Sequence, residues 1–158
     1  MLNWLKTNAI AARSKLTEEI VKFKNKEFME AVVAGCALVA AADGEISSAE
    51  KLKMTGFIKN SEELKVFNMD TVIETFNRYC SKFEFDESIG RAEALSVVGK
   101  IRSKADQSRL LVRVCIAIGS SDGDFDKQEV VVCRMICSEL GLNPSDFEPL
   151  PSDYMSGS

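Results

Sequence analysis

The chain has 158 residues, 46% apolar and 28% charged, which is the size and composition of one globular domain with a real core. Its net charge of −4 argues against nucleic acid, whose phosphates need a basic face. The absence of any histidine removes Ser-His-Asp and Cys-His catalysis, and most zinc sites, together.

Charge is unevenly spread. Residues 1–26 hold six lysines and arginines against two glutamates, a net +4, which leaves −8 for the rest of a chain whose total is −4. No run approaches the roughly 20 apolar residues of a membrane span. The N-terminus also lacks the apolar core and small-residue cleavage site of a signal peptide. The five cysteines (Cys36, Cys80, Cys115, Cys133, Cys137) show no CxxC spacing, and four lie in apolar helical stretches. That is the pattern of buried free thiols in a reducing cytoplasm.

Residues 3–24 read as an amphipathic helix. Leu5, Ala9, Ala12, Leu16, Ile20 and Phe23 recur at steps of three and four, with Trp4 and Ile10 widening the stripe. Its basic, Trp-tipped face (Trp4, Lys6, Arg13, Lys15, Lys22) suits either a solvated surface or contact with an anionic membrane or a partner. Residues 27–42 form a nearly all-apolar helix rich in small side chains. After Asp43-Gly44 a helix runs from Ser48 to about Lys59, with Leu52, Met54, Phe57 and Ile58 as its apolar positions. Asn68 caps a helix from Met69 to about Phe83, with Val72, Ile73, Phe76, Tyr79 and Cys80 inward. Ile89, Ala92, Leu95, Val98 and Ile101 fall in step in the next helix. Residues 105–120 form a second buried helix with Leu110, Leu111, Val114, Cys115 and Ile118, and a last long helix carries Val130, Val131, Cys133, Ile136, Cys137 and Leu140. Gly141 suits its C-terminal stop, and Asn143-Pro144 opens a final turn. No segment alternates with period two, so the fold class is all-α, a compact bundle of about seven helices. The expected organisation is a basic N-terminal helix over 1–25, a helical domain over 26–148 and a disordered tail over 149–158.

Part of this pattern occurs twice. Residues 43–50 (DGEISSAE) and 122–129 (DGDFDKQE) align at an offset of 79, which also places Cys36 on Cys115, Val33 on Val112 and Leu52 on Val131. An apolar helix, an acidic turn and a second helix are duplicated, over 31–59 and 110–140, which predicts a pseudo-twofold repeat.

The acidic turns support two readings. Ser47-x-x-Glu50 and Asp126-x-x-Glu129 resemble capping boxes, and Gly44 and Gly123 suit left-handed turns, so both segments are explained as helix connectors. They also match the second half of an EF-hand calcium loop, with Asp43 and Asp122 in the fifth place, Gly44 and Gly123 in the sixth, and Glu50 and Glu129 in the twelfth. The first and third places fail in both copies (Val39 and Ala41; Ile118 and Ser120), so neither is a true EF-hand. Even so, Asp43, Glu45 and Glu50 in one copy, and Asp122, Asp124, Asp126 and Glu129 in the other, gather carboxylates whose repulsion a hard divalent cation relieves, calcium foremost. Cys133 and Cys137 lie one helical turn apart and read as core. Glu84, Asp86 and Glu87 read as a solvated helix junction, and no catalytic constellation emerges.

The same residues resemble the tellurite-resistance TerB family. The likeness is carried by Cys36-Ala37, by Asp43-Gly44 through Ser47-Ser48-Ala49-Glu50-Lys51, and by Ser61-Glu62-Glu63-Leu64-Lys65-Val66-Phe67. It continues through Phe83-x-Phe85-Asp86 and Ser121-Asp122-Gly123-x-Phe125-Asp126. The resemblance implies a compact helical fold in a bacterial stress operon linked to tellurite, phage and colicin resistance, with no enzymatic activity. It further implies a cytoplasmic, metal-linked component that meets the inner membrane through an integral membrane partner, TerC, or other tellurite-resistance proteins. The acidic positions carried over are Asp43, Glu50, Asp122, Asp126 and Glu129, with Ser47 standing where the second copy has Asp126. Two alternatives stay open: a thiol-based tellurite detoxifier, and a helical interaction scaffold without metal.

Overall fold

The structure is a computed structural model and describes residues 25–42, 46–61, 64–119 and 127–147. These form six α-helices and a short 3-10 turn: α1 (Lys26–Ala40), α2 (Ser48–Lys59), α3 (Met69–Phe85), α4 (Glu87–Gly99), α5 (Ala105–Gly119), α6 (Lys127–Leu140) and the turn Pro144–Asp146. No strand occurs among the described residues, so the all-α class holds. The helix expected over 3–24 and the tail over 149–158 lie outside the described residues.

α1 is the central element. Every residue from Ala31 to Ala40 is buried, and the helix packs against α2, α3, α4, α5 and α6. Its small side chains admit this many neighbours, and its larger ones (Phe28, Val32, Val33, Leu38, Val39) each contribute roughly 1.5–3 kcal/mol when removed from water. At its start the Asn25 side chain accepts from the Phe28 amide at 2.8 Å, an N-cap.

The other boundaries follow from local chemistry. The Thr71 amide donates to the Asn68 side chain at 3.1 Å, as the cap reading predicts. Asp86 ends α3 and starts α4: its amide donates to the Lys82 carbonyl at 3.1 Å and its carboxylate accepts from Ile89 at 3.2 Å. The acidic junction is therefore built rather than merely solvated, with Glu84 paired to Lys51 at 3.7 Å and Glu87 to Arg91. α6 stops at Gly141, whose φ of +69° lies in the left-handed region. The Leu142 amide donates to Cys137 at 2.8 Å and the Gly141 amide to Ser138 at 3.1 Å, a Schellman closure.

Three apolar stripes differ from expectation. In α4 the buried residues are Gly90, Ala94 and Val98, while Ile89 and Ala92 are exposed. A Cβ on Gly90 would lie 2.7 Å from the Phe83 Cα, so α4 meets α3 through its smallest residue and turns Ile89 outward. In α2, Met54 and Ile58 are buried but Leu52 is 74% exposed. In α6, Val132 is buried and Val131 faces out.

Candidate functional site at the acidic end

The two helices that precede the acidic turns lie side by side and point the same way. Near their starts, the Lys104 ammonium, one residue before α5, pairs with Glu27 in the first turn of α1 at 3.0 Å. Midway along, Gly35 faces Cys115 and Leu111 so closely that a Cβ there would lie 2.6 Å from the Cys115 sulfur. Contact at the starts and again at the middles fixes a parallel pair. The C-termini of α1 and α5 therefore finish at one end of the domain, and both acidic turns depart from that end.

α6 runs the opposite way. Ile136 comes within 4.0 Å of the same Gly35 position, and Arg102 of the α4–α5 loop sits beside Gly141, just past the end of α6. The start of α6 therefore falls at the acidic end, and so does the start of α2, which follows only a few residues after α1. Helix N-termini carry partial positive charge and C-termini partial negative charge. Two of each lie at this end, so their partial charges offset one another.

Of the expected site residues, Glu50 falls in the first turn of α2, and Glu129 falls, half-buried, in the first turn of α6. Asp43, Glu45, Asp122, Asp124 and Asp126 lie outside the described residues, as do Trp4, Lys6, Arg13, Lys15 and Lys22. Beside the first of these stretches, Ala41 and Ala42 close the last turn of α1 through amides donating to Ala37 at 3.0 Å and Val39 at 3.1 Å, and Ile46 is buried before α2 begins. Among the described residues no three Cys, Asp or Glu side chains are grouped so as to hold a metal ion.

The thiols form a separate, internal feature. All five cysteines are free and buried. Cys36 and Cys115, which occupy equivalent positions in the two copies, meet across the parallel helices, and the Cys115 thiol is raised well above its ordinary value by its hydrogen bond with Cys36 and by burial. Burial raises Cys133 as well, and pushes Cys80 and Cys137 each up to about 11. Neutral thiols sealed from solvent are poor nucleophiles and poor ligands.

With this arrangement described, comparison with known proteins is informative. The family described as "Tellurite resistance protein TerB" matches residues 29–151. The chain belongs to the TerB family. It is 42% identical over 106 residues to the "Tellurium resistance protein TerB" of Alcaligenes sp, covering 67% of this chain and 87% of the relative. No solved structure matches. The TerB match begins inside α1 and extends past the final 3-10 turn, so it takes in both copies of the helix-turn-helix unit. Among the described residues no helix is long and apolar enough to cross a membrane. A second charged feature escapes notice in the sequence because buried Ile101 draws attention to the apolar pattern: the α4–α5 loop carries Lys100, Arg102 and Lys104 within five residues.

Proposed function

We propose that this TerB protein is a non-catalytic component of a tellurite-resistance system whose acidic end binds divalent cations, calcium foremost. The observation that supports the reading is the parallel packing of α1 and α5, whose C-terminal ends, from which the two acidic segments continue in the chain, lie at one end of the domain. Asp122, Asp124, Asp126 and Glu129 would supply the richer ligand set, and Asp43, Glu45 and Glu50 the poorer one. Carboxylate oxygens suit calcium, magnesium or manganese and do not select soft ions. An ion bound there would neutralise clustered charge and fix the geometry of two helix starts.

In the same reading the protein acts as an adaptor in the cytoplasm at the inner membrane. The basic segment with Trp4, Lys6, Arg13, Lys15 and Lys22 meets the anionic membrane surface or a TerC-like integral membrane protein. The burial of all five thiols weighs against direct thiol reduction of tellurite, which needs an accessible thiolate.

The test is a calcium titration of the full chain followed by backbone amide NMR, then magnesium and manganese. The expected result is saturable shifts confined to residues 43–50 and 122–129, lost in a folded Asp122→Ala, Asp126→Ala variant that also loses tellurite protection. Amides unmoved at millimolar metal, or full protection by the folded variant, would leave the turns as helix caps alone.

A further inference from the structure

α5 packs mainly on α1 and α6, and its remaining side faces outward. Leu110, Leu111, Val114 and Cys115 are buried, while Asp106, Arg109 and Arg113 are exposed. Arg109 and Arg113 lie four residues apart and so share that outer face. Just before α5, the loop adds Lys100, Arg102 and Lys104. It is drawn tight by the Arg102 amide donating to Gly99 at 3.1 Å, the Lys104 amide donating to Ile101 at 2.9 Å, and the Ser108 hydroxyl donating to the Ile101 carbonyl at 2.8 Å. Ile101 is buried between exposed Lys100 and Arg102. Lys104 is paired with Glu27 at 3.0 Å, whereas Lys100, Arg102 and Arg109 make no ion pair among the described residues. A cation just past the end of α4 offsets the partial negative charge there. That accounts for Lys100, but not for Arg109, which stands nearer the positive start of α5.

The charge is concentrated against the trend of the chain. Residues 100–113 hold five lysines and arginines against one aspartate, a net +4 in a chain whose total is −4. The first 26 residues also carry +4, which leaves −12 for the others. Like sign argues against that basic segment as the occupant of this face. None of the large exposed apolar side chains (Leu52, Phe85, Ile89, Val131) belongs to the stretch, so it lacks the apolar centre around which a protein interface is built. It carries no aromatic ring on which a nucleic-acid base could stack. A plane of phosphate headgroups requires neither.

We propose that the outer face of α5 and the loop before it dock on an anionic bilayer, with Lys100, Arg102, Arg109 and Arg113 against lipid phosphates. A guanidinium engages two phosphate oxygens at once, and each cation near such a surface strengthens binding roughly fivefold. Asp106 on α5 and Glu139, which packs beside Gly99, oppose them, so the association is modest and weakens with salt. The contact is peripheral, because the stretch offers headgroups charge and no large apolar side chain to insert. This extends the membrane part of the reading above to the helical domain itself, and rests neither on the cation site nor on the basic N-terminal segment.

Co-sedimentation of the full chain with phosphatidylcholine vesicles, with and without phosphatidylglycerol, tests the proposal in EDTA at about 20 mM salt. The chain should bind the anionic vesicles alone and leave them at about 0.5 M salt. The triple variant Lys100→Gln, Arg102→Gln, Arg109→Gln should bind them roughly tenfold to a hundredfold more weakly. Lys53, Lys59 and Lys65 are exposed elsewhere, so Lys53→Gln, Lys59→Gln, Lys65→Gln makes the same change in net charge and should stay within about twofold of the wild type. Circular dichroism checks that both variants fold. A wild-type chain that ignores anionic vesicles, or equal losses in the two variants, would overturn the proposal. So would tighter binding to a DNA duplex than to the vesicles, which would reassign the face to nucleic acid. Loss of binding only in Lys6→Gln, Arg13→Gln, Lys15→Gln, Lys22→Gln would also overturn it, while leaving the N-terminal contact of the reading above intact. Because the solution holds no metal, failure here is separate from failure of the calcium titration.

Discussion

Replacing Gly90 by alanine should force α3 and α4 apart. The new Cβ would stand 2.7 Å from both Cα and Cγ of Phe83 and 2.8 Å from its amide nitrogen. Two of these three atoms are backbone and cannot swing away, so the helices must separate by about 1 Å to restore ordinary contact. A gap of that size forfeits roughly a quarter to a half of the dispersion well of each facing atom pair. Overpacking of this kind costs about 1–3 kcal/mol, and a backbone clash belongs at the upper end. Alanine returns about 1 kcal/mol of helix propensity, leaving a net loss of about 2 kcal/mol, or a Tm lower by roughly 4–8 °C for a chain of this length. Gly56 is the internal control: a Cβ there meets nothing within 4 Å, so Gly56→Ala keeps the propensity gain and should raise stability by about 1 kcal/mol. Urea unfolding followed by circular dichroism, with equal m-values, reads both. A Gly90→Ala variant as stable as the wild type would refute the close approach of α3 and α4.

Two further predictions concern the thiols. Gly35→Ala pushes a Cβ to 2.6 Å from the Cys115 sulfur and should cost about 1 kcal/mol net of propensity. Cys115→Ala removes the obstacle, so the double variant should be more stable than the sum of the singles requires, and strict additivity would count against the packing. All five cysteines should resist a thiol reagent in native buffer at neutral pH and react in urea; rapid native labelling of any one would contradict its burial. Because Cys80 and Cys137 rise to about 11 from 9.0, the native state holds their protons where the unfolded chain releases them. The stabilisation they provide is complete below pH 9 and is lost as pH rises towards 11, by about 1.4 kcal/mol per pH unit per thiol. The stability difference between wild type and Cys80→Ala should shift accordingly across that window, and a flat difference would contradict the shift.

Much of the fold is legible in the residues because the dominant signals are local. Asn68, Asp86, Gly141 and Asn143 each mark a boundary by hydrogen bonds they make within a few residues. The stripe of α4 is not legible for the opposite reason. An apolar count prefers Ile89, whereas burial goes to Gly90, chosen by how near Phe83 can come. Leu52 and Val131 mislead alike: each fits an apolar pattern, yet a neighbour, Met54 or Val132, takes the inward position. At the candidate site the carboxylates can be counted from the chain, and the duplication suggests that they share an end. Only the contacts Lys104–Glu27 and Gly35–Cys115 show the two helices running in parallel. Direction is a tertiary property, and no spacing within either copy encodes it.

The burial of α1 also bears on how the chain is made. Nothing between Ala31 and Ala40 faces water in the finished domain, yet the last helix to cover it, α6, ends only at Leu140. On a ribosome adding about 5–20 residues per second, that apolar helix waits roughly 5–20 s for its final cover. Neither half of the duplication can shield it alone, because α5 and α6 belong to the second copy. A nascent chain stalled before Ala105 would present an oily helix to the cell, a substrate for chaperones rather than a half-sized working unit.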